Sequence, residues 1–197
     1  MLQTNQKERI ILGIDPGTAV MGYGLVKETG PKIELISMGV VKMDKIDDHM
    51  LKLQRIFEKT VALIDNYHPD CLAIEAPFYG KNIQVMLKLG RAQGVAMAAA
   101  LSRNVTITEY SPRKIKQSIT GNGNATKEQV AAMPQNLLSF KETPDFLDAT
   151  DGLAVAVCHS FQRNATAGKS GTKKSYSGWE TFVKDNTARV SGLKIKK

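Results

Sequence analysis

After a polar start, the chain runs Ile10-Ile11-Leu12-Gly13-Ile14 without a polar interruption. A short apolar run rich in β-branched residues predicts a strand buried on both faces. It ends on a carboxylate, Asp15, followed at once by the turn formers Pro16 and Gly17. Val20 to Val26 then reads as a second strand, with glycines at the alternate positions 22 and 24. Glycines so placed point to close approach by another backbone or a ligand. Lys27-Glu-Thr-Gly-Pro31 is a tight turn, and Lys32 to Met43 reads as a third strand. Three strands joined by short turns form an antiparallel meander.

The period then changes. Over residues 47–67, Met50, Leu53, Phe57, Val61 and Ile64 fall on one helical face, and Asp47 and Asp48 favour the helix start. His49 reads as a first-turn residue and His68 as a loop residue, neither as a ligand. Cys71-Leu-Ala-Ile74 is a short apolar strand that ends on Glu75 and the turn Ala76-Pro77-Phe78-Tyr79-Gly80. The pattern of the first strand has repeated: apolar run, acid, proline-containing turn. A helix between the meander and this strand implies a parallel crossover. Parallel neighbours would set Asp15 and Glu75 side by side at one edge of the sheet. Asp15 alone is divided between capping its own turn and chemistry; a second acid in the same role weakens the capping reading for both.

Residues 82–102 read as a long helix whose apolar positions spread around much of its circumference, which predicts deep burial or a subunit interface. Val105 to Tyr110 is a fifth strand. Ser111-Pro112 opens a helix carrying Arg113, Lys114 and Lys116. Thr126 and Gln129 fit a capping box at the start of the next helix. Lys127 in its first turn is unfavourable for the helix dipole, a hint that it faces an anion. Pro134 is expected to kink or end that helix. The last regular segment, about Phe146 to Phe161, places Asp148 and Asp151 on one face near a helix start. A favourable dipole alone would account for acids there.

Composition narrows the class. With 197 residues and 42 % hydrophobic content, the chain can build one full core. No stretch approaches the roughly 18 apolar residues of a membrane span, and the polar N-terminus has no signal-peptide core. Cys71 and Cys158 each sit in an apolar run and read as buried free thiols. A cytoplasmic location is expected. The net charge is +8, of which +7 falls in residues 163–197. The chain thus divides into a domain over 1–162 and a basic extension over 163–197, expected to be disordered. Such a tail is either solubilising or a contact for a polyanion.

Asp15, Glu75, Asp148 and Asp151 come from two strand ends and one helix start, with no Cys or His cluster and no nucleophile motif beside them. All-oxygen ligands suit Mg²⁺ or Mn²⁺ rather than zinc. Two such ions about 3.5–4 Å apart support phosphodiester hydrolysis.

The element order with acids at these places resembles the ribonuclease H-like superfamily, an α/β fold with a five-stranded mixed sheet flanked by helices. The strings Gly13-Ile-Asp-Pro-Gly-Thr18, Ala73-Ile-Glu-Ala-Pro-Phe78, Lys88-Leu-Gly-Arg-Ala-Gln-Gly94, Tyr110-Ser-Pro-Arg-Lys-Ile-Lys116, Gly121-Asn-Gly-Asn-Ala-Thr-Lys-Glu-Gln-Val130 and Asp148-Ala-Thr-Asp-Gly-Leu-Ala154 resemble, in order, the RuvC family of bacterial Holliday junction resolvases. The resemblance spans about residues 8–162. It implies a homodimer that resolves four-way DNA junctions by paired symmetric nicks, in recombination and repair. It implies two Mg²⁺ ions per site, replaceable by Mn²⁺, on Asp15, Glu75, Asp148 and Asp151. It implies DNA contacts from Lys116 and Lys127, to which the neighbouring Arg113 and Lys114 are added, and base stacking by Phe78. It implies dimerisation through the 82–102 helix and work alongside a branch-migration motor complex of the RuvA and RuvB type. Two rivals stand beside it. An actin- or sugar-kinase-like ATPase shares the first motif but needs a second domain and phosphate loop. A non-catalytic junction-binding module would leave the four acids without a task.

Overall fold

β1 (Glu8–Asp15) is the middle strand of a five-stranded sheet of order β3-β2-β1-β4-β5. β2 (Val20–Thr29) and β3 (Lys32–Lys42) form the antiparallel meander, while β4 (Cys71–Glu75) and β5 (Thr106–Tyr110) are parallel to β1. The expected mixed sheet is therefore present, with β2 extending three residues past Val26. This computed structural model describes residues 8–77, 82–140 and 146–167. All but the last two of them belong to one unit, Met1–Ala165. No described helix is long and apolar enough to cross a membrane.

Alternation along β1 feeds two cores. Leu12 and Ile14 join Met21, Leu25, Leu72 and Ile74 against α1 (His49–Tyr67) and α2 (Ile83–Leu101). Ile11 and Ala73 face the other way, toward α3 (Pro112–Thr120), α4 (Lys127–Leu138) and α5 (Phe146–Ala167). Helices on both faces explain why β1 is apolar without alternation. Each fully buried aliphatic side chain contributes about 1.5–3 kcal/mol of transfer free energy.

α5 lies almost directly on the backbone of β1 and β2. A Cβ on Gly24 would stand 2.4 Å from Leu153 Cα, and one on Gly13 would stand 2.3 Å from the Gly152 carbonyl. A Cβ on Gly22 would stand 2.0 Å from the Asp148 carbonyl. The alternate glycines of β2 thus accept a neighbouring backbone, as their spacing predicts. Gly152 returns the contact, since a Cβ there would reach the Tyr23 nitrogen at 2.5 Å.

One expectation is narrowed and another corrected. Of the two outcomes expected at Pro134, a kink or an end, the end does not occur: α4 runs through it to Leu138. The proline ring is buried on the same side as Val130 and Ala131, and that packing offsets the hydrogen bond the Val130 carbonyl loses. α5 continues to Ala167, six residues past Phe161 and into the segment expected to be disordered. Residues 168–197 lie outside the described residues. Cys71 and Cys158 are buried free thiols, as their apolar surroundings predict.

Candidate active site

The register of β1 against β4 pairs Ile14 with Ile74, so Asp15 and Glu75 follow side by side at the carboxyl edge. Gly22 stands opposite Asp15 on β2, and the glycine floor brings the first turns of α5 down over that point. Asp148 and Asp151 are carried there together. The cleft has an inner part of about 130 Å³ lined by Asp15, Glu75, Lys116, Lys127 and Asp151, with Pro112, Ile115, Val130 and Ala154 as its apolar wall. Its outer part, about 490 Å³, is bounded by residues 15–20, Glu75, Ala76, Pro77, Leu89, Lys127 and Asp148.

The capping box sets the cationic side. Gln129 N donates to Thr126 Oγ1 at 3.3 Å, and Thr126 N donates to Gln129 Oε1 at 3.0 Å. This fixes the start of α4 and with it Lys127. Lys127 Nζ donates to Asp151 Oδ2 at 2.7 Å and lies 3.8 Å from Asp148 Oδ1. The unfavourable lysine at a helix start does face an anion. Asp151 is largely enclosed, with 16 % of its side chain exposed, against 51 % for Asp148.

Electrostatics set this cleft apart. Burial pushes the Asp15 carboxyl up to about 7, helped by Asp151 and Asp148 and opposed by Lys127. Burial, then the proximity of Asp15 and Asp151, pushes Glu75 up to about 8, against the pull of Lys127 and Lys116. Asp151 is also raised, burial outweighing its bond to Lys127. The Lys127 ammonium is held above its ordinary value by that same bond. These acids share too little positive charge to ionise together. As they stand, no three acids among the described residues converge closely enough to hold one ion. The donor chemistry nevertheless fits a hard cation: clustered carboxylates, short of positive charge, with Lys127 the only cation in hydrogen-bond contact among the described residues. An ion held by Asp151 would compete with Lys127 for that carboxylate.

The basic residues divide. Lys116 and Lys127 line the inner cleft; Arg113 and Lys114, on the exposed side of α3, do not. The Arg113 side chain instead runs beside Gly123, where a Cβ would stand 2.8 Å from its Cγ. Phe78 lies outside the described residues. One residue went unrecognised in the sequence. Gln93 of α2 is buried and its Nε2 donates to the Glu75 carbonyl at 3.3 Å and to Glu109 Oε2 at 2.8 Å. It ties α2 to the strand end that carries Glu75. Its signal was an amide on a helix face otherwise made of Ala92, Ala96, Ala99 and Ala100.

Comparison with known proteins gives a consistent result. The model of the family described as crossover junction endodeoxyribonuclease RuvC matches residues 11–159. The crossover junction endodeoxyribonuclease RuvC of Christiangramia forsetii is 60 % identical over 185 residues, covering 94 % of each chain. That of Bacteroides fragilis is 57 % identical, covering 93 % of this chain and 97 % of its own. Among solved structures, T. thermophilus RuvC in complex with Holliday junction substrate superposes with a TM-score of 0.74 at 31 % identity, covering 80 % of this chain and 96 % of that one. The yeast mitochondrial Holliday junction resolvase Ydc2, at 13 % identity and a TM-score of 0.58, shares the fold.

Proposed function

The chain belongs to the RuvC family of crossover junction endodeoxyribonucleases, and from that premise we propose how its own residues resolve a Holliday junction. The observation that carries the reading is the meeting of Asp15, Glu75, Asp148 and Asp151, from three separate elements, in one cleft beside Lys116 and Lys127. The ATPase and non-catalytic readings give way to the family match.

Asp15, Glu75, Asp148 and Asp151 are the metal-holding acids. Two Mg²⁺ ions, or Mn²⁺ in their place, supply an activated water and neutralise charge on the scissile phosphate when bound there. The protein's own residues do the rest. Asp15 and Glu75 would hold the cations as carboxylates, a form that nearby positive charge favours over the neutral acid. Lys127, on the cleft wall, meets a phosphate oxygen once freed from Asp151. Lys116 supplies a second positive charge on the same wall. Arg113 and Lys114 stand outside the cleft and serve a flanking stretch of DNA. Phe78, next to Pro77 in the sequence, stacks on a base near the crossover.

The working unit is a homodimer. α2 buries its alanine face and leaves Ile83, Leu87 and Leu101 exposed, at 69 %, 52 % and 62 %. A two-fold pair of clefts matches the two-fold symmetry of a four-way junction and gives paired nicks. The setting is the cytoplasm, beside a branch-migration motor complex of the RuvA and RuvB type. The basic segment after Arg163 adds non-specific contact to DNA.

The test is a labelled four-way junction incubated with the protein and Mg²⁺, beside linear duplex and an Asp151→Asn variant. Symmetric paired nicks in the junction alone, lost in the variant, are expected. Junction binding without cleavage in either Mg²⁺ or Mn²⁺ would overturn the catalytic reading.

A further inference from the structure

A second cationic feature lies outside the acid cleft. The end of β3 and the first half of α1 enclose a groove of about 470 Å³ lined by Val40, Val41, Lys42, Arg55 and Lys59. Three of its five lining residues are basic and none is acidic. The groove has a definite construction. Tyr23 of β2 and Gly39 of β3 are register partners. Gly39 leaves the notch in which the ring lies, since a Cβ there would stand 2.9 Å from Tyr23 Cζ. Lys59 Nζ is held over that ring, 5.2 Å from its centroid. A cation–π contact of this kind orders the ammonium without neutralising it. Arg55, one turn earlier on α1, is exposed and has no ion-pair partner among the described residues.

The groove adjoins the cleft through the sheet. Val20 and Ala19 line the outer cleft. Val20 is the register partner of Lys42, and Met43 N donates to the Ala19 carbonyl at 2.7 Å. Two strand spacings, about 10 Å, separate β1 from β3. Duplex DNA presents a phosphate about every 1.7 Å along its axis. A duplex seated on Asp15 and leaving over β2 therefore carries phosphates past the groove within a few base pairs of the cut.

We propose that Arg55 and Lys59, on the wall of this groove, form a sequence-independent phosphate-backbone site that holds one arm of the junction as it leaves the cleft. The proposal rests on the nuclease reading of the cleft. It assigns the site no base recognition, because its cations can address phosphate oxygens but present no paired donor and acceptor to a base edge. It also makes α1 part of the DNA-binding surface, a role distinct from that of Lys116 and Lys127 at the cut.

The experiment measures junction binding by the full chain without divalent metal, over a range of salt. An Arg55→Gln/Lys59→Gln variant is expected to bind about 10-fold more weakly near 0.1 M salt, with the log–log salt slope reduced by about two. Neutral methylphosphonates placed singly along one arm then locate the contact. Wild type loses affinity at positions a few base pairs from the crossover, and the double variant does not lose it further. Lys59→Arg, which keeps both charge and ring contact, restores binding. An unchanged affinity and slope in the double variant overturns the proposal. So does equal sensitivity of both proteins to the same methylphosphonates. A variant altered only in its binding of a polyglutamate peptide overturns it in favour of an acidic protein partner. A wild type that cuts junctions while the groove variant binds them unchanged refutes this site alone; a wild type that neither binds nor cuts them refutes the nuclease reading.

Discussion

The two faces of the sheet are packed by different means. On one face, α1 and α2 rest on a cushion of large side chains: Leu12, Ile14, Met21, Leu25, Leu72 and Ile74. On the other, α5 meets β1 and β2 almost backbone to backbone, over Gly13, Gly22 and Gly24. A side-chain cushion can repack when a residue changes, because interdigitated chains have other rotamers. A backbone contact has no such freedom. The acids of α5 are therefore located by a rigid contact, and the outward face of α2 rests on an adaptable one. Precision at a catalytic site has to come from support that cannot relax.

The largest effect should separate the faces completely. Asp151→Asn removes one acid without disturbing the packing, and is expected to lower junction cleavage by about 10³-fold or more while junction binding persists. Leu12→Ala on the opposite face is expected to lower stability by about 2–5 kcal/mol. The fraction still folded should cut at close to the wild-type rate. Thermal melts paired with cleavage corrected for folded protein check both. Comparable loss of specific activity in the two variants would erase the distinction.

Gly24→Val tests the contact itself. Its side chain meets Leu153 Cα, so overpacking of about 3 kcal/mol or more is expected. Surviving folded protein should also cut slowly, because α5 and its acids are displaced from Asp15. A volume-conserving change on the cushion, Met21→Leu, should cost less than about 1.5 kcal/mol and leave cleavage alone. Guanidinium melts with a parallel cleavage assay give both readings.

Stability against pH gives the third measurement. Asp15 and Glu75 are raised to about 7 and about 8 in the folded chain, chiefly by burial. Unfolded, both titrate near 4. Between those limits the folded state binds more protons, so stability falls as pH rises. The metal-free protein should lose on the order of a few kcal/mol from pH 4 to 8, and Asp15→Asn should flatten that slope. Mg²⁺ binding should release protons and tighten as pH rises toward 8, measured by calorimetry in buffers of different ionisation enthalpy. A stability profile that rises over this range would show that the acids are already ionised in the folded chain.

The strand ends were legible because one local pattern occurs twice, an apolar run delivering an acid to a turn, and the crossover between them dictates parallel neighbours. The glycines of β2 were legible as a close approach, though not as the seat of α5, since a vacancy does not name its occupant. That α4 does not end at Pro134 was not legible, because helix propensity is local and the buried ring is a tertiary fact. Gln93 was invisible because its partners, the Glu75 carbonyl and Glu109, lie 18 and 16 residues away. The groove of Lys42, Arg55 and Lys59 required the register of β3 and the seating of α1. Neither is written in hydrophobic period. The family resemblance carried Lys116 and Lys127 to the cleft wall, while simple adjacency did not do the same for Arg113 and Lys114.

The smallest effect probes how Lys127 is aimed. Thr126 and Gln129 bond reciprocally at the start of α4. Thr126→Ala should lower stability by only about 1 kcal/mol, the usual worth of an N-cap. Because the first turn of α4 carries Lys127, the same change should loosen its 2.7 Å bond to Asp151. Cleavage should then fall several-fold, more than the stability loss can explain in a protein that remains folded. Thr126→Ser, which keeps the cap, should restore both. If Thr126→Ala melts earlier yet cuts at the wild-type rate, Lys127 is placed by its acids and not by its helix. The rigid support would then end at α5, and α4 would belong with the adaptable half of the molecule.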